Sequence, residues 1–173
     1  MITIIASTNR HNSNTLKLSN YYQNALKQRG ISSEVISLTD LPENFISTDL
    51  YGKRSEAFIP IQEKMSLASK FLFIVPEYNG SFPGILKTFI DGCKFPESFY
   101  GKKAILTGLS TGKYGNVRGI DHLTGICHYV NLHVLPLRLH IPAIDKEFNE
   151  AGELIKEDTL RFVNQQIDQL IAF

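Results

Sequence analysis

Along this chain, short unbroken apolar runs alternate with longer stretches in which apolar residues return every three or four positions. Unbroken runs suit strands covered on both faces, and the periodic stretches suit helices with one buried stripe. The pattern predicts strands over 2–6, 34–38, 71–75, 103–109 and 132–137, each ending in a polar or glycine-containing turn. Helices fall between them. From Asn14 to Arg29 the positions Leu18, Tyr22, Ala25 and Leu26 recur at helical spacing, Lys27 and Arg29 suit the negative end, and Gly30 offers a left-handed stop. Pro60 begins a second helix with Ile61, Met65 and Ala68 inward, and Pro83 falls in the first turn of a third, where its missing N–H costs nothing. A fourth runs from Val117 to Asn131 through Ile120, Leu123, Thr124, Cys127 and Val130, and a fifth carries Leu160, Val163, Ile167, Leu170 and Ile171. Residues 41–55, with Pro42, Asn44, Asp49 and Gly52, read as a long loop, and 141–156 fit neither period.

Strands alternating with helices are the signature of βαβ units. Right-handed crossovers leave few topologies, and five strands favour the flavodoxin-like α/β order 2-1-3-4-5, a parallel sheet with helices on both faces in three layers. In that order the turns after Ala6 and Val75 share one crevice at the carboxyl ends of the strands, where such sheets bind ligands.

A length of 173 residues suits one core, so residues 1–173 are expected to form one domain. With 43% hydrophobic and 20% charged residues the chain lacks the polar bias of disorder, and a net charge of +1 offers no field to recruit nucleic acid or an anionic membrane. Cys93 and Cys127 lie far apart, each within a predicted helix, and are expected to be reduced thiols. The opening residues Met1 to Ala6 lack the basic segment and apolar length of a leader or a span, so a cytoplasmic location is expected.

Candidate chemistry sits in three turns. The first, Ser7-Thr8-Asn9-Arg10-His11-Asn12-Ser13-Asn14-Thr15, is rich in hydroxyls and amides, carries one guanidinium and opens a helix whose first N–H groups favour an anion. It reads as a phosphate loop, although an ordinary loop with an N-cap at Asn12 or Ser13 explains one or two of the same residues. G-x-x-x-x-G-K-[ST] and G-x-G-x-x-G are both absent, which disfavours a nucleoside triphosphate and a Rossmann-bound dinucleotide. The second is Pro76-Glu77-Tyr78-Asn79-Gly80-Ser81, which offers backbone N–H groups, close approach at Gly80 and an aromatic wall from Tyr78 or Phe82. Its bland reading is a tight Asn-Gly turn. The third, Leu109-Ser110-Thr111-Gly112-Lys113-Tyr114-Gly115-Asn116-Val117-Arg118-Gly119, follows the fourth strand; Ser110 or Thr111 could bond a ring, and Tyr114 or Arg118 could reach a second nucleotide, unless the glycines are punctuation and Arg118 a solvated charge.

Together these turns resemble the NAD(P)H-dependent FMN reductases of the flavodoxin-like superfamily, which include quinone and azo-dye reductases. The family's phosphate loop G-S-x-R-x-x-S is matched by Ser7 to Ser13, and its P-E-Y-N-x-x-x-P-x-x-L-K-x-x-I-D throughout by Pro76 to Asp91. An S-x-G with a later glycine and arginine is matched by Ser110, Gly112, Gly115 and Arg118. Ser7 departs from the usual glycine, Thr8 from the usual serine, and Thr15 stands where asparagine is more common. The resemblance implies FMN as cofactor and NADPH or NADH as co-substrate. Thr8, Arg10, Ser13, Asn14 and Thr15 would hold the phosphate. Pro76, Glu77, Tyr78, Asn79 and Gly80 would border the ring and ribityl chain, and Ser110, Thr111 and Gly112 would lie near the ring. Hydride would pass from the nicotinamide to the flavin and its electrons to a quinone, azo compound or free flavin, with no catalytic acid assigned. A homodimer or homotetramer is implied as well, and Phe89, Phe95, Phe99 and Tyr100 hint at an apolar surface. The alternatives are a flavodoxin-like electron carrier, against which the balanced charge and the missing T-x-T-G-x-T speak, and a flavin-free domain that keeps only the fold. None of His11, His122, His128, His133 and His140 belongs to a metal-like cluster, although His11 stands in the phosphate loop; Lys87 and Asp91, one turn apart, are expected to pair.

Overall fold

The computed structural model describes residues 1–51 and 54–173, so Gly52 of the expected long loop lies outside the described residues. Strand β1 (Ile2–Ala6) is buried along its whole length and lies between β2 (Ser33–Ser37) and β3 (Lys70–Pro76), with β4 (Lys103–Leu109) on the far side of β3. All these pairings are parallel, and Ala6 stands opposite Ser37 on one side and Ile74 on the other. The order is the flavodoxin-like 2-1-3-4-5 that the sequence predicts.

The fifth position departs from expectation. A single strand over 132–137 is expected, but β5 (His133–Val134) and β6 (Leu139–Ile141) are two short strands, both paired in parallel with β4. Pro136 lies in the break and has no N–H to give the ladder. The Leu137 carbonyl freed by the break accepts instead from Gln166 Nε2 at 3.2 Å.

Successive residues of the central strands feed opposite layers. Ile5, Phe71, Phe73, Val75 and Leu106 face α3 (Ile59–Leu67), α4 (Gly84–Gly92) and α5 (Val117–Tyr129), where Phe58, Phe89 and Leu123 complete one core. Ile4, Leu72, Ile74 and Ile105 face α1 (Asn14–Gln28) and α6 (Glu157–Ala172). Within that second layer Tyr22 Oη donates to Gln166 Oε1 at 2.7 Å, as does Thr107 Oγ1, and Gln166 Nε2 also donates to the Leu106 carbonyl. This closed network ties α1, β4 and α6 together beneath the sheet.

Helix ends follow local chemistry. Ser13 caps α1 by accepting from the Leu16 N–H at 3.1 Å, and Gly30, at φ 72°, takes the left-handed position beyond its other end. Pro83 stands just before α4 rather than inside it, with ψ 137° still extended. Helix α5 stops earlier than expected because Asn131 turns left-handed at φ 55°. The expected loop 41–55 holds a short helix, α2 (Phe45–Thr48), closed by the buried Asp49, which accepts from Thr48 Oγ1 and from both the N–H and Oγ of Ser55. Cys127 lies within α5, whereas Cys93 is one residue past α4; both are free and buried. Lys87 and Asp91 pair at 2.7 Å along α4. Phe89 and Phe99 belong to the core, leaving only Phe95 and Tyr100 of the expected aromatic surface exposed. Among the described residues no helix is long and apolar enough to cross a membrane.

Candidate active site

Since β1, β3 and β4 run parallel and side by side, the loops that follow them emerge at the same edge of the sheet. They enclose a cleft of about 240 Å³. Thr8, Arg10, Ser13, Asn14 and Thr15 line it from the first loop, Pro76, Glu77 and Tyr78 from the second, and Ser110 and Thr111 from the third. Asn79, Gly80 and Gly112 stand outside this lining. His11 and Asn12, which the sequence places in the phosphate loop, line it too, as does Leu109 at the end of β4; only Ile144 joins it without having been placed there from the sequence. Ile144 comes from the aperiodic segment after β6, so no repeat could have pointed to it.

The first loop is rich in free donors. Beyond Ser7, whose N–H is tied to the Ile74 carbonyl at 3.0 Å, the N–H groups from His11 to Thr15 have no partner among the described residues. Asn12 adopts a left-handed φ of 52° just before α1, whose N-terminal end favours an anion. Ser13 Oγ accepts from Leu16, so its own proton is free to be donated into the cleft. The Arg10 side chain is exposed, and its guanidinium makes no hydrogen bond or ion pair among the described residues.

The second loop is a rigid wall. The Tyr78 N–H donates to the Ser81 carbonyl at 2.8 Å and the Ser81 N–H returns the bond at 3.1 Å, closing a two-residue turn over Asn79 (φ 52°) and Gly80 (φ 77°). The Tyr78 N–H is therefore committed to the turn, and the Glu77 N–H to the Leu109 carbonyl at 2.9 Å. The N–H groups of Asn79 and Gly80 stay free among the described residues. Tyr78 Oη meets Thr8 Oγ1 at 2.5 Å, linking this wall to the first loop. Thr8 Oγ1 also accepts from the Arg10 N–H at 3.2 Å, so with Tyr78 as donor its proton points into the cleft.

Close packing explains Gly115 in the third loop and Gly108 in β4 beneath it, but not Gly112, where a Cβ would meet nothing nearer than Ser110 Oγ at 4.0 Å. A Cβ on Gly115 would stand 2.5 Å from the Ile141 nitrogen, and one on Gly108 would stand 2.3 Å from the Gly115 carbonyl oxygen. Gly115 thus lets the loop lie against β6, and Ser110 Oγ receives its N–H at 3.0 Å. The Gly112 carbonyl accepts from Ser110 Oγ and from the Ala143 N–H. His140, behind this contact, has its imidazolium disfavoured by burial, and its Nδ1 has no partner among the described residues. Neither thiol suits nucleophilic chemistry at neutral pH: burial pushes Cys127 up to about 12 and raises Cys93 further.

The cleft thus has a donor-rich end, a flat side bounded by the Tyr78–Ser81 turn, and Glu77 as the one carboxylate in its lining. Such a donor set can hold a phosphate ester, and the Tyr78 ring beside it can lie against a planar group.

Known proteins share this architecture. The family profile described as NADPH-dependent FMN reductase matches residues 1–146. An NAD(P)H-dependent FMN reductase of Pseudomonas aeruginosa is 27% identical over 168 residues, covering 91% of this chain and 90% of its own. The NAD(P)H:quinone oxidoreductase of Solanum tuberosum is 34% identical over 138 residues, covering 75% of this chain and 69% of its own. Among solved structures, the flavoenzyme NAD(P)H:(acceptor) oxidoreductase FerB from Paracoccus denitrificans superposes with a TM-score of 0.82 at 23% identity, over 99% of this chain and 94% of that one, a likeness of fold.

Proposed function

We propose, for a chain that belongs to the NADPH-dependent FMN reductase family, that the cleft at the carboxyl end of its sheet is where FMN binds and where a nicotinamide nucleotide and a small acceptor meet it in turn. The observation that carries this reading is the row of unpartnered N–H groups from His11 to Thr15 at the start of α1. The donor set fits: N–H groups, the Ser13 and Thr8 hydroxyls and Arg10 suit a phosphate monoester, and the Tyr78–Ser81 turn supplies free N–H groups and an aromatic edge for a planar ring.

When bound, FMN supplies the redox chemistry, accepting hydride from NADPH or NADH and passing two electrons to an acceptor of the quinone or azo class. The protein's own residues do the rest. The α1 end fixes the phosphate, and the Tyr78–Thr8 bond holds wall and phosphate loop at a set distance, so that the ring position is defined before any co-substrate arrives. Asn79, Gly80, Ser110, Thr111 and Gly112 are assigned to the ring's polar edge. No side chain is required to form a bond with substrate.

The same reading extends to setting and assembly. A groove of about 740 Å³ runs between α4 and α5, lined in part by Ile90, Phe99, Ile126 and Val130. Phe95 and Tyr129, 62% and 87% exposed, stand at its edges. We assign this face to a homodimer or homotetramer contact, and the protein to the cytoplasm. The activity is tested by NADPH oxidation with 1,4-benzoquinone after FMN loading. FMN-dependent turnover supports the reading, and equal rates with and without FMN refute it.

A further inference from the structure

Asn116 is fully buried at the start of α5, in a left-handed conformation with φ 65°, yet its side chain does not cap its own helix. Its Nδ2 donates instead to the carbonyls of Val75 at 3.1 Å and Pro76 at 3.0 Å, the last residues of β3 before the cleft wall. Its backbone N–H donates to Glu77 Oε2 at 3.2 Å. Its Oδ1 has no partner among the described residues. A forgone cap and a buried unpaired acceptor both cost stability, so something other than helix formation holds the side chain here.

Gly119 makes room for it. A Cβ on Gly119 would stand 2.0 Å from Asn116 Oδ1 and 2.7 Å from the Phe82 nitrogen. The same helix continues the contact: the Arg118 guanidinium lies 3.2 Å from where a Gly80 Cβ would be, and His122 Nδ1 meets Ser81 Oγ at 2.9 Å. The first turns of α5 therefore bear on Val75, Pro76, Glu77, Gly80, Ser81 and Phe82, which is nearly the whole wall.

Building on the assignment of FMN to this cleft, we propose that Asn116 is a positioning residue for the reaction and Gly119 the vacancy that admits it. The side chain clamps the end of β3. The left-handed backbone turns the N–H toward Glu77 and holds the cleft's one lining carboxylate at the positive end of α5, where an anion is favoured, instead of beside the phosphate. Asparagine suits both tasks because it tolerates the left-handed region and carries two side-chain donors for two carbonyls.

Asn116→Gly is the discriminating variant, since glycine keeps the left-handed backbone and the bond to Glu77 while deleting the clamp. FMN affinity, read by quenching of flavin fluorescence, is expected to fall about tenfold as two buried carbonyls lose their donor. The visible band of bound FMN is expected to shift, and kcat with 1,4-benzoquinone to fall while the KM for NADPH stays within about twofold. Gly119→Ala, which forces the alanine methyl into Asn116 Oδ1, is expected to weaken FMN binding as well. The double variant Asn116→Gly/Gly119→Ala is expected to bind FMN more tightly than Gly119→Ala alone, because the nearer clash is gone. A loss of thermal stability in Asn116→Gly with wild-type FMN affinity, band and kcat would make the residue merely structural and overturn the proposal. So would a Gly119→Ala defect that is the same with and without the asparagine side chain. Wild-type protein that binds no FMN would instead overturn the assignment of the cleft, on which the proposal rests.

Discussion

Under the proposed assignment of FMN to this cleft, replacing Arg10 with alanine separates the two features that hold the phosphate: one exposed full charge and a row of N–H groups fixed at the start of α1. The guanidinium is exposed and has no partner among the described residues, so it must be ordered when it engages a ligand. A hydrogen bond to a charged group contributes about 1.5–3 kcal/mol. Ordering a long side chain offsets up to about 1.5–2 kcal/mol of that, and salt screens an exposed pair further. About 1 kcal/mol survives, roughly a fivefold to tenfold change in Kd. The N–H groups from His11 to Thr15 are already held by α1 and by the left-handed Asn12, so they add little ordering cost and carry the larger share. Flavin fluorescence quenching on the wild type and Arg10→Ala, at low and raised salt, reads the difference. The variant is expected to bind FMN about tenfold more weakly at low salt, with the gap closing as salt is added, and to bind riboflavin, which has no phosphate, as the wild type does. Equal losses for FMN and riboflavin would refute the placement of Arg10 at the phosphate. A loss of about a thousandfold would refute the ranking of fixed N–H groups above the charge.

Three further outcomes follow from the fold. Gln166→Leu removes the acceptor shared by Tyr22 and Thr107 and the donor to Leu106 and Leu137, and urea unfolding is expected to show a loss of about 3 kcal/mol, against about 1 for Tyr22→Phe, which leaves Gln166 bonded to Thr107; equal losses would contradict the network. At Asp49 burial raises the carboxyl pKa, but hydrogen bonds from Thr48 and Ser55, aided by Arg54, outweigh it and hold the group below its ordinary value. A depressed folded pKa contributes stability above the unfolded value and loses it as pH falls through the folded one, so the melting-temperature advantage of wild type over Asp49→Asn is expected to shrink on acidification below the usual carboxylate range; an advantage constant with pH would contradict this. Lysine at both Phe95 and Tyr129 is expected to turn an oligomer into a monomer in light scattering, and an unchanged mass would place the contact elsewhere.

The central sheet was legible because its strands are buried on both faces, leaving runs such as Phe71 to Val75 that no exposed element would carry. The break in the fifth strand was written in Pro136, but the apolar residues on either side read as one run, and the Gln166 amide that relieves the break comes from α6, far along the chain. Three loops at one edge followed from topology alone. Within them, the cleft lining was legible where it lies in consecutive residues, as from Arg10 to Thr15. It was illegible where packing supplies it. Ile144 reaches the cleft from a segment without periodicity, and Gly115 of the third loop is there for contact with β6. Asn116 looked like a loop residue before a helix, and only the paired vacancy at Gly119 shows which way its amide turns.

The measurement that bears most directly on the account is the visible spectrum of the purified protein after FMN addition and desalting, followed in the same cuvette by anaerobic NADPH. A flavin spectrum that survives desalting and bleaches with NADPH is the predicted result. A protein that retains no flavin, and shows no binding when FMN is titrated directly, would contradict the assignment of the cleft.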